Sequence, residues 1–198
     1  VKRGKNSSMW MSIESVKNKT SDIVLSAGNT GALFVIAKLN LKMIEKIDKP
    51  ALSGLWPNKF GMNIVLDLGA NIDCNEKNLK DFAIMGAALH KSLFPEETSK
   101  VALLNIGSEE MKGNSVIKNT YQELLKINNS LFEFKGYIEG NNIMSGEVNV
   151  IIADGFTGNV ALKTAEGTAN FITNELKNAM KSSLFGKIGS LISMNSLK

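Results

Sequence analysis

Val148-Asn149-Val150-Ile151-Ile152-Ala153 leads directly into Asp154-Gly155-Phe156-Thr157-Gly158-Asn159, after which Leu162, Ala165, Ala169, Ile172, Leu176 and Met180 recur at steps of three and four. The first run is short and apolar without alternation, the pattern of a strand buried on both faces. The last set lays one apolar stripe along a helix. The same unit recurs upstream. Asn63-Ile64-Val65-Leu66-Asp67-Leu68 ends in Gly69-Ala70-Asn71, and Asn78 to Phe94 follows with Leu79, Phe82, Ala83, Gly86, Leu89 and Leu93 at helical spacing. Val101-Ala102-Leu103-Leu104-Asn105-Ile106 ends in Gly107-Ser108-Glu109-Glu110, and the helix after Asn114 sets Ile117, Tyr121, Leu124 and Leu125 on one face. Nearer the start, Asp22-Ile23-Val24-Leu25 ends in Ser26-Ala27-Gly28-Asn29-Thr30-Gly31, with a helix predicted from Ala32 to Ile44.

Apolar strands alternating with amphipathic helices predict an α/β protein, a three-layer α/β/α sandwich around a mainly parallel sheet. Pro50–Leu55 and Leu131–Phe134 are candidate additional strands, and Pro57–Asn63 reads as a loop. No internal repeat, low-complexity block or linker interrupts the chain, which is read as a single domain over residues 1–198.

Composition narrows the chemistry. With 43% hydrophobic and 21% charged residues, the 198-residue chain has the makings of a real core and is neither disordered nor collagen-like. No apolar run reaches the roughly 18 residues of a membrane-spanning helix, and Val1-Lys2-Arg3-Gly4-Lys5 leads into polar residues, so a cytoplasmic protein is expected. One cysteine, Cys74, and one histidine, His90, exclude an internal disulfide and any multi-histidine or multi-cysteine metal site; no metal and no cofactor are expected. Chemistry falls to Lys, Asp, Glu, Asn, Ser, Thr and backbone amides. The net charge of +4 is too mild and dispersed for nucleic acid and suits an acidic partner or an anionic ligand; Arg3 is the one arginine, a composition bias without functional meaning.

In an open parallel sheet, ligands bind at the carboxyl ends of the strands. Four glycine-bearing turns follow four strand runs and are expected to gather there. Glycine lets backbone N–H groups approach a ligand, and each following helix presents its positive end, so that edge suits a phosphate-like anion. The plainer alternative, that these glycines only make tight turns, stays open for any single loop. None of the turns is a Walker A loop or a G-x-G-x-x-G fingerprint, which disfavours nucleoside triphosphates and NAD.

Taken in order, Lys5-Asn6-Ser7-Ser8-Met9, Ser26 to Ala32, Lys49-Pro50-Ala51-Leu52, Leu66 to Asn71, Leu103 to Gly107 with Glu109 to Gly113, and Asp154 to Val160 with Leu162-Lys163-Thr164 and Glu166-Gly167 resemble the PlsX family of bacterial phosphate acyltransferases. The likeness runs from the first residue to about Met180. Absent from this sequence are the family's opening Asp-Ala-Met-Gly-Gly-Asp strand and its closing Gly-Gly-Ala and His-Gly motifs, so it resembles a member lacking segments at each end. Lys49 stands where the family usually has arginine, keeping the charge but losing the bidentate fork.

The resemblance implies the fold of the isocitrate and isopropylmalate dehydrogenase superfamily, shared with phosphotransacetylases, and a homodimer. It implies acyl transfer from acyl-ACP (acyl carrier protein) to inorganic phosphate, giving acyl phosphate for phospholipid synthesis, with Lys112 and Asn159 as catalytic residues. Gly28, Asn29, Thr30, Gly31, Asp67, Asn71, Gly107, Asp154, Gly155, Thr157 and Gly158 are candidates for phosphate or substrate contact. For Asp67 and Asp154, helix or turn capping is an equal alternative. Glu109 and Glu110 read as solvated loop residues rather than a base, because phosphate is already ionised at neutral pH. His90 reads as a partly exposed residue near a helix end, Cys74 as incidental, and Lys163 as facing either the anion or solvent. The resemblance also implies long helices whose apolar tip, around Ser183–Ile192, touches membrane peripherally; dimer interface or core is the alternative there. Two rival functions stay open: a phosphotransacetylase-like enzyme using acyl-CoA, and an inactive truncated relative that serves as a binding or dimerisation module.

Overall fold

A computed structural model describes residues 4–127 and 131–193; the opening Val1-Lys2-Arg3 lies outside the described residues. The chain divides into two compact units, Val1–Gly158 and Asn159–Lys198.

The first unit contains α1 (Ser8–Lys17), α2 (Thr30–Leu41), β1 (Gly54–Pro57), β2 (Met62–Leu66), α3 (Glu76–Leu93), β3 (Ser99–Asn105), α4 (Ser115–Leu125), β4 (Phe132–Glu139) and β5 (Val150–Ile152), and ends within the first turn of α5 (Gly155–Lys181). Side-chain oxygens of Ser7, Asn29, Asn75 and Asn114 accept from backbone N–H groups of the first turns of α1 to α4, so each helix starts where its sequence supplies a cap. The strands form one sheet in the order β1-β2-β5-β3-β4. β2, β5, β3 and β4 run parallel and β1 antiparallel to β2, giving the mainly parallel α/β sheet flanked by helices that the strand runs predict. Leu66, Ile152 and Leu103 lie level across the three central strands, so their chains leave the sheet at one edge.

Alternate residues of those strands point to opposite faces. Ile64, Leu66, Val101, Leu103, Val150 and Ile152 pack with Leu79, Phe82, Ala83 and Ala87 of α3 and with Ile117 and Leu124 of α4. The other face, with Val65, Ala102, Leu104 and Ile151, is buried as well. At about 1.5–3 kcal/mol for each fully buried large aliphatic side chain, this double burial is why the strands read as continuous apolar runs.

Several expectations need correction, and the loop expected over Pro57–Asn63 is shorter, since Pro57 ends β1 and Met62 and Asn63 open β2. Asp22–Leu25 joins no ladder, and Ile23 and Leu25 are 82% and 96% exposed. An apolar run becomes a strand only where a neighbour takes up its backbone groups, and β1 and β4 form the two edges of this sheet. Of Pro50–Leu55, only Gly54 and Leu55 enter a strand; the Leu52 N–H and C=O bond instead to the Asp67 carboxylate and the Leu68 N–H. Leu125 turns outward from α4, at 54% exposure. His90 is buried, its Nδ1 lying 2.9 Å from Ser99 Oγ.

The second unit comprises the rest of α5 and α6 (Leu184–Ser193). The apolar stripe expected along α5 is helical but uncovered from Ala169 to Leu176, with Ile172 and Leu176 exposed and Met180 half-buried. No helix among the described residues is long and apolar enough to cross a membrane.

Candidate active site

Three of the four glycine-bearing turns follow strands of the sheet, after β2, β3 and β5, and the parallel order brings these three to one edge. The fourth, Ser26–Gly31, follows a segment outside the sheet. There Asn29 Oδ1 accepts from the Ala32 N–H at 3.0 Å, which makes it the cap of α2, and Thr30 and Gly31 form that helix's first turn.

The turn after β2 is organised by Asp67, whose residue is fully buried. Its Oδ1 accepts from the N–H groups of Leu52, Gly69 and Ala70, and its Oδ2 from the N–H and the side-chain amide of Asn71, at 2.7–3.1 Å. Five donors on one carboxylate balance the cost of burying the charge. The Asn71 amide also donates to Pro50 O at 2.7 Å, so both residues are engaged within the protein and shape the turn.

That turn in turn seats α5. The Gly155 N–H donates to Asn71 O at 2.7 Å. A Cβ on Gly155 would lie 2.6 Å from Asn71 O, and one on Gly158 only 1.9 Å from Asp67 O. Both obstacles are backbone, which cannot rotate away, so these glycines serve close approach of two chains. Asp154 caps α5: its Oδ1 accepts from the Thr157 N–H at 2.7 Å and its Oδ2 from the Thr157 hydroxyl at 2.9 Å. Asn159 follows Gly158 as the first residue of the second unit, in the opening turns of α5.

The turn after β3 carries Lys112. Its backbone N–H donates to Glu109 O at 3.0 Å, while its exposed side chain passes over Gly107. Among the described residues no carboxylate lies within ion-pair distance of the Lys112 ammonium. Glu110 accepts from the Tyr121 hydroxyl at 3.3 Å, and burial together with that carboxylate raises the Tyr121 pKa. Glu110 is thus tied to α4 rather than free in solvent. In the second unit, Lys163 pairs with Glu166 at 2.8 Å.

A cleft of about 440 Å³ opens among these turns. Its walls come from the β2–α3 turn and α3 (Ile72, Asp73, Cys74, Leu79), from the start of α4 (Asn114, Val116, Ile117) and from the start of α5 (Asp154, Phe156, Thr157). The N-termini of α4 and α5 therefore border it, and α3 starts just after Cys74. Lys112 belongs to the same turn as the lining residue Asn114. Burial pushes the Cys74 thiol pKa up, outweighing the nearby Lys49 ammonium and the Gly155 N–H, so the sulfur stays a neutral thiol. Lys49 itself donates to Asp73 O at 2.8 Å, bracing the cleft's rim.

A family model described as "Fatty acid synthesis protein" matches residues 1–198. The chain belongs to the fatty acid synthesis protein family. Within it, the phosphate acyltransferase of Pelagibacter ubique is 72% identical over 198 residues, all of this chain and 60% of the relative. The phosphate acyltransferase of Maricaulis maris is 45% identical over 199 residues, all of this chain and 56% of the relative. The chain thus spans less than two thirds of the curated relatives it matches. Among solved structures, the EutD phosphotransacetylase from Staphylococcus aureus superposes with a TM-score of 0.61 at 14% identity, covering 82% of this chain and 56% of that one. At that identity the likeness is one of fold, and it is the fold that the resemblance implies.

Cleft residues outside the motifs include Ile72, Asp73, Asn114 and Val116, and Phe156 lies in a motif without being singled out. Ile72 and Phe156 are 67% and 63% exposed despite being large and apolar. Their position inside or beside two glycine turns is the signal that marks them.

Proposed function

We propose that this chain is the core of a phosphate acyltransferase, transferring a fatty acyl group from acyl-ACP to inorganic phosphate to give acyl phosphate. The observation that carries the reading is the Lys112 ammonium, without a carboxylate partner among the described residues, in a turn at the sheet edge where helix N-termini border a cleft. The names of the relatives support the reaction class.

In this reading phosphate is held by Lys112 and by N–H groups of the turn around Gly107. Asp73 and Asp154 repel an anion, which favours the Lys112 and Asn114 side of the cleft for phosphate. Leu79, Val116, Ile117 and Phe156 offer apolar wall to the acyl group. A phosphate oxygen attacks the thioester carbonyl carbon; an O–C bond forms, the C–S bond breaks, and its electron pair leaves on sulfur. The Asn159 amide donates to the carbonyl oxygen as negative charge builds there, a contribution worth about 3 kcal/mol of barrier. Phosphate needs no general base, and a thiol of pKa about 8.5 leaves as thiolate without a strong acid, so the residues mainly position and stabilise charge. Asp67, Asn71, Gly155, Thr157 and Gly158 act by holding the turns in place.

The reading extends to a homodimer and to peripheral membrane contact, supported by the exposed Phe185, Ile188 and Ile192 of the second unit. The test mixes the purified protein with long-chain acyl-ACP and phosphate and measures acyl phosphate. Lys112→Ala and Asn159→Ala are each expected to lower turnover about a hundredfold or more. Undiminished turnover in both removes them from the mechanism, and turnover with acyl-CoA but not with acyl-ACP reassigns the donor.

A further inference from the structure

The Lys112 turn is long and mostly exposed, its Ile106 and Met111 at 80% and 83%. Such a turn needs a local device to keep its shape. That device is the side chain of Asn105, the last residue of β3. Its Nδ2 donates to Gly107 O at 3.1 Å and to Lys112 O at 3.2 Å, closing the neck of the turn with one amide group. Its Oδ1 lies where a Cβ on Gly113 would come within 2.5 Å, and Gly113 has φ +91°, a conformation that favours glycine. The two Nδ2 hydrogens suit two carbonyl oxygens. An aspartate of the same shape has no hydrogen for either and sets a carboxylate against both.

We propose that Asn105 is a positioning residue, holding the backbone of Lys112 so that its ammonium is fixed relative to the strand ends. The catalytic half of this inference rests on the phosphate acyltransferase reading; the structural half does not. Asn105 acts through Lys112 and makes no contact with substrate.

The experiment compares Asn105→Asp, Lys112→Ala and their combination in the acyl-ACP and phosphate assay, and follows amide hydrogen exchange at Lys112, whose N–H is bonded to Glu109 O. Asn105→Asp is expected to accelerate exchange at that amide about tenfold. It is also expected to lower kcat/KM for phosphate about ten- to a hundredfold. Added to Lys112→Ala, it costs less than about twofold more, because the group it positions is gone. Gly113→Ala, which pushes the same amide from the other side, reproduces both effects. Unchanged exchange in both single variants overturns the clamp. An equal loss of kcat/KM with and without Lys112 shows that Asn105 does not act through it. If Lys112→Ala retains full turnover, Lys112 leaves the mechanism and the catalytic half of this inference fails with it, while the exchange result still decides the clamp.

Discussion

Asp67 and His90 show two ways of burying an ionisable side chain. Asp67 is surrounded by five N–H donors. Among the described residues His90 has one hydrogen-bond partner, the Ser99 hydroxyl, 2.9 Å from Nδ1 and itself 3.3 Å from Ala87 O. Its Nε2 is buried and without a hydrogen bond among the described residues, 3.6 Å from a Glu97 carboxylate oxygen. Burial lowers the His90 pKa, and the Glu97 charge offsets it only in part. The unfolded chain therefore binds a proton more readily, so this contribution to stability is intact above about pH 6.5 and is lost as pH falls through the lowered folded-state value. Urea unfolding between pH 5 and 8 is expected to show stability falling on the acid side, with a shallower slope in His90→Gln. Equal slopes in the two proteins contradict the assignment.

At the scale of elements, the first turn of α5 is seated by a backbone-to-backbone contact. Gly158→Ala puts a methyl group 1.9 Å from Asp67 O, and relief requires moving either α5 or the turn built on the Asp67 carboxylate. The expected cost is about 3 kcal/mol or more, read as a lowered denaturant midpoint. An unchanged midpoint would show that the two elements are not in register. The central strands and α3 are legible in the sequence because burial on both faces of a sheet, or on one face of a helix, writes itself as a hydrophobic period. Asp22–Leu25 has the same apolar character yet no ladder, since pairing depends on a neighbour that composition does not specify. The likeness of the motifs singles out Lys112 and Asn159. Asn105 is not legible in the same way, because its importance lies in two carbonyl groups that only the folded turn brings to its amide. His90 is misread because one exposed helix position looks like another until β3 is laid against it.

For the molecule as a whole, the family is established over the full 198 residues, while the chain spans 60% or less of the relatives' lengths. The first unit holds the sheet, the cleft and Lys112; the second holds Asn159 and the uncovered apolar faces of α5 and α6. Everything proposed for the reaction depends on the carboxyl edge of the first unit accepting a phosphate. A crystal structure of the protein with inorganic phosphate tests this most directly. A phosphate is expected in the cleft beside Asn114, with an oxygen within about 3 Å of the Lys112 ammonium nitrogen. A phosphate seated elsewhere, with Lys112 pointing away from the cleft, would contradict it.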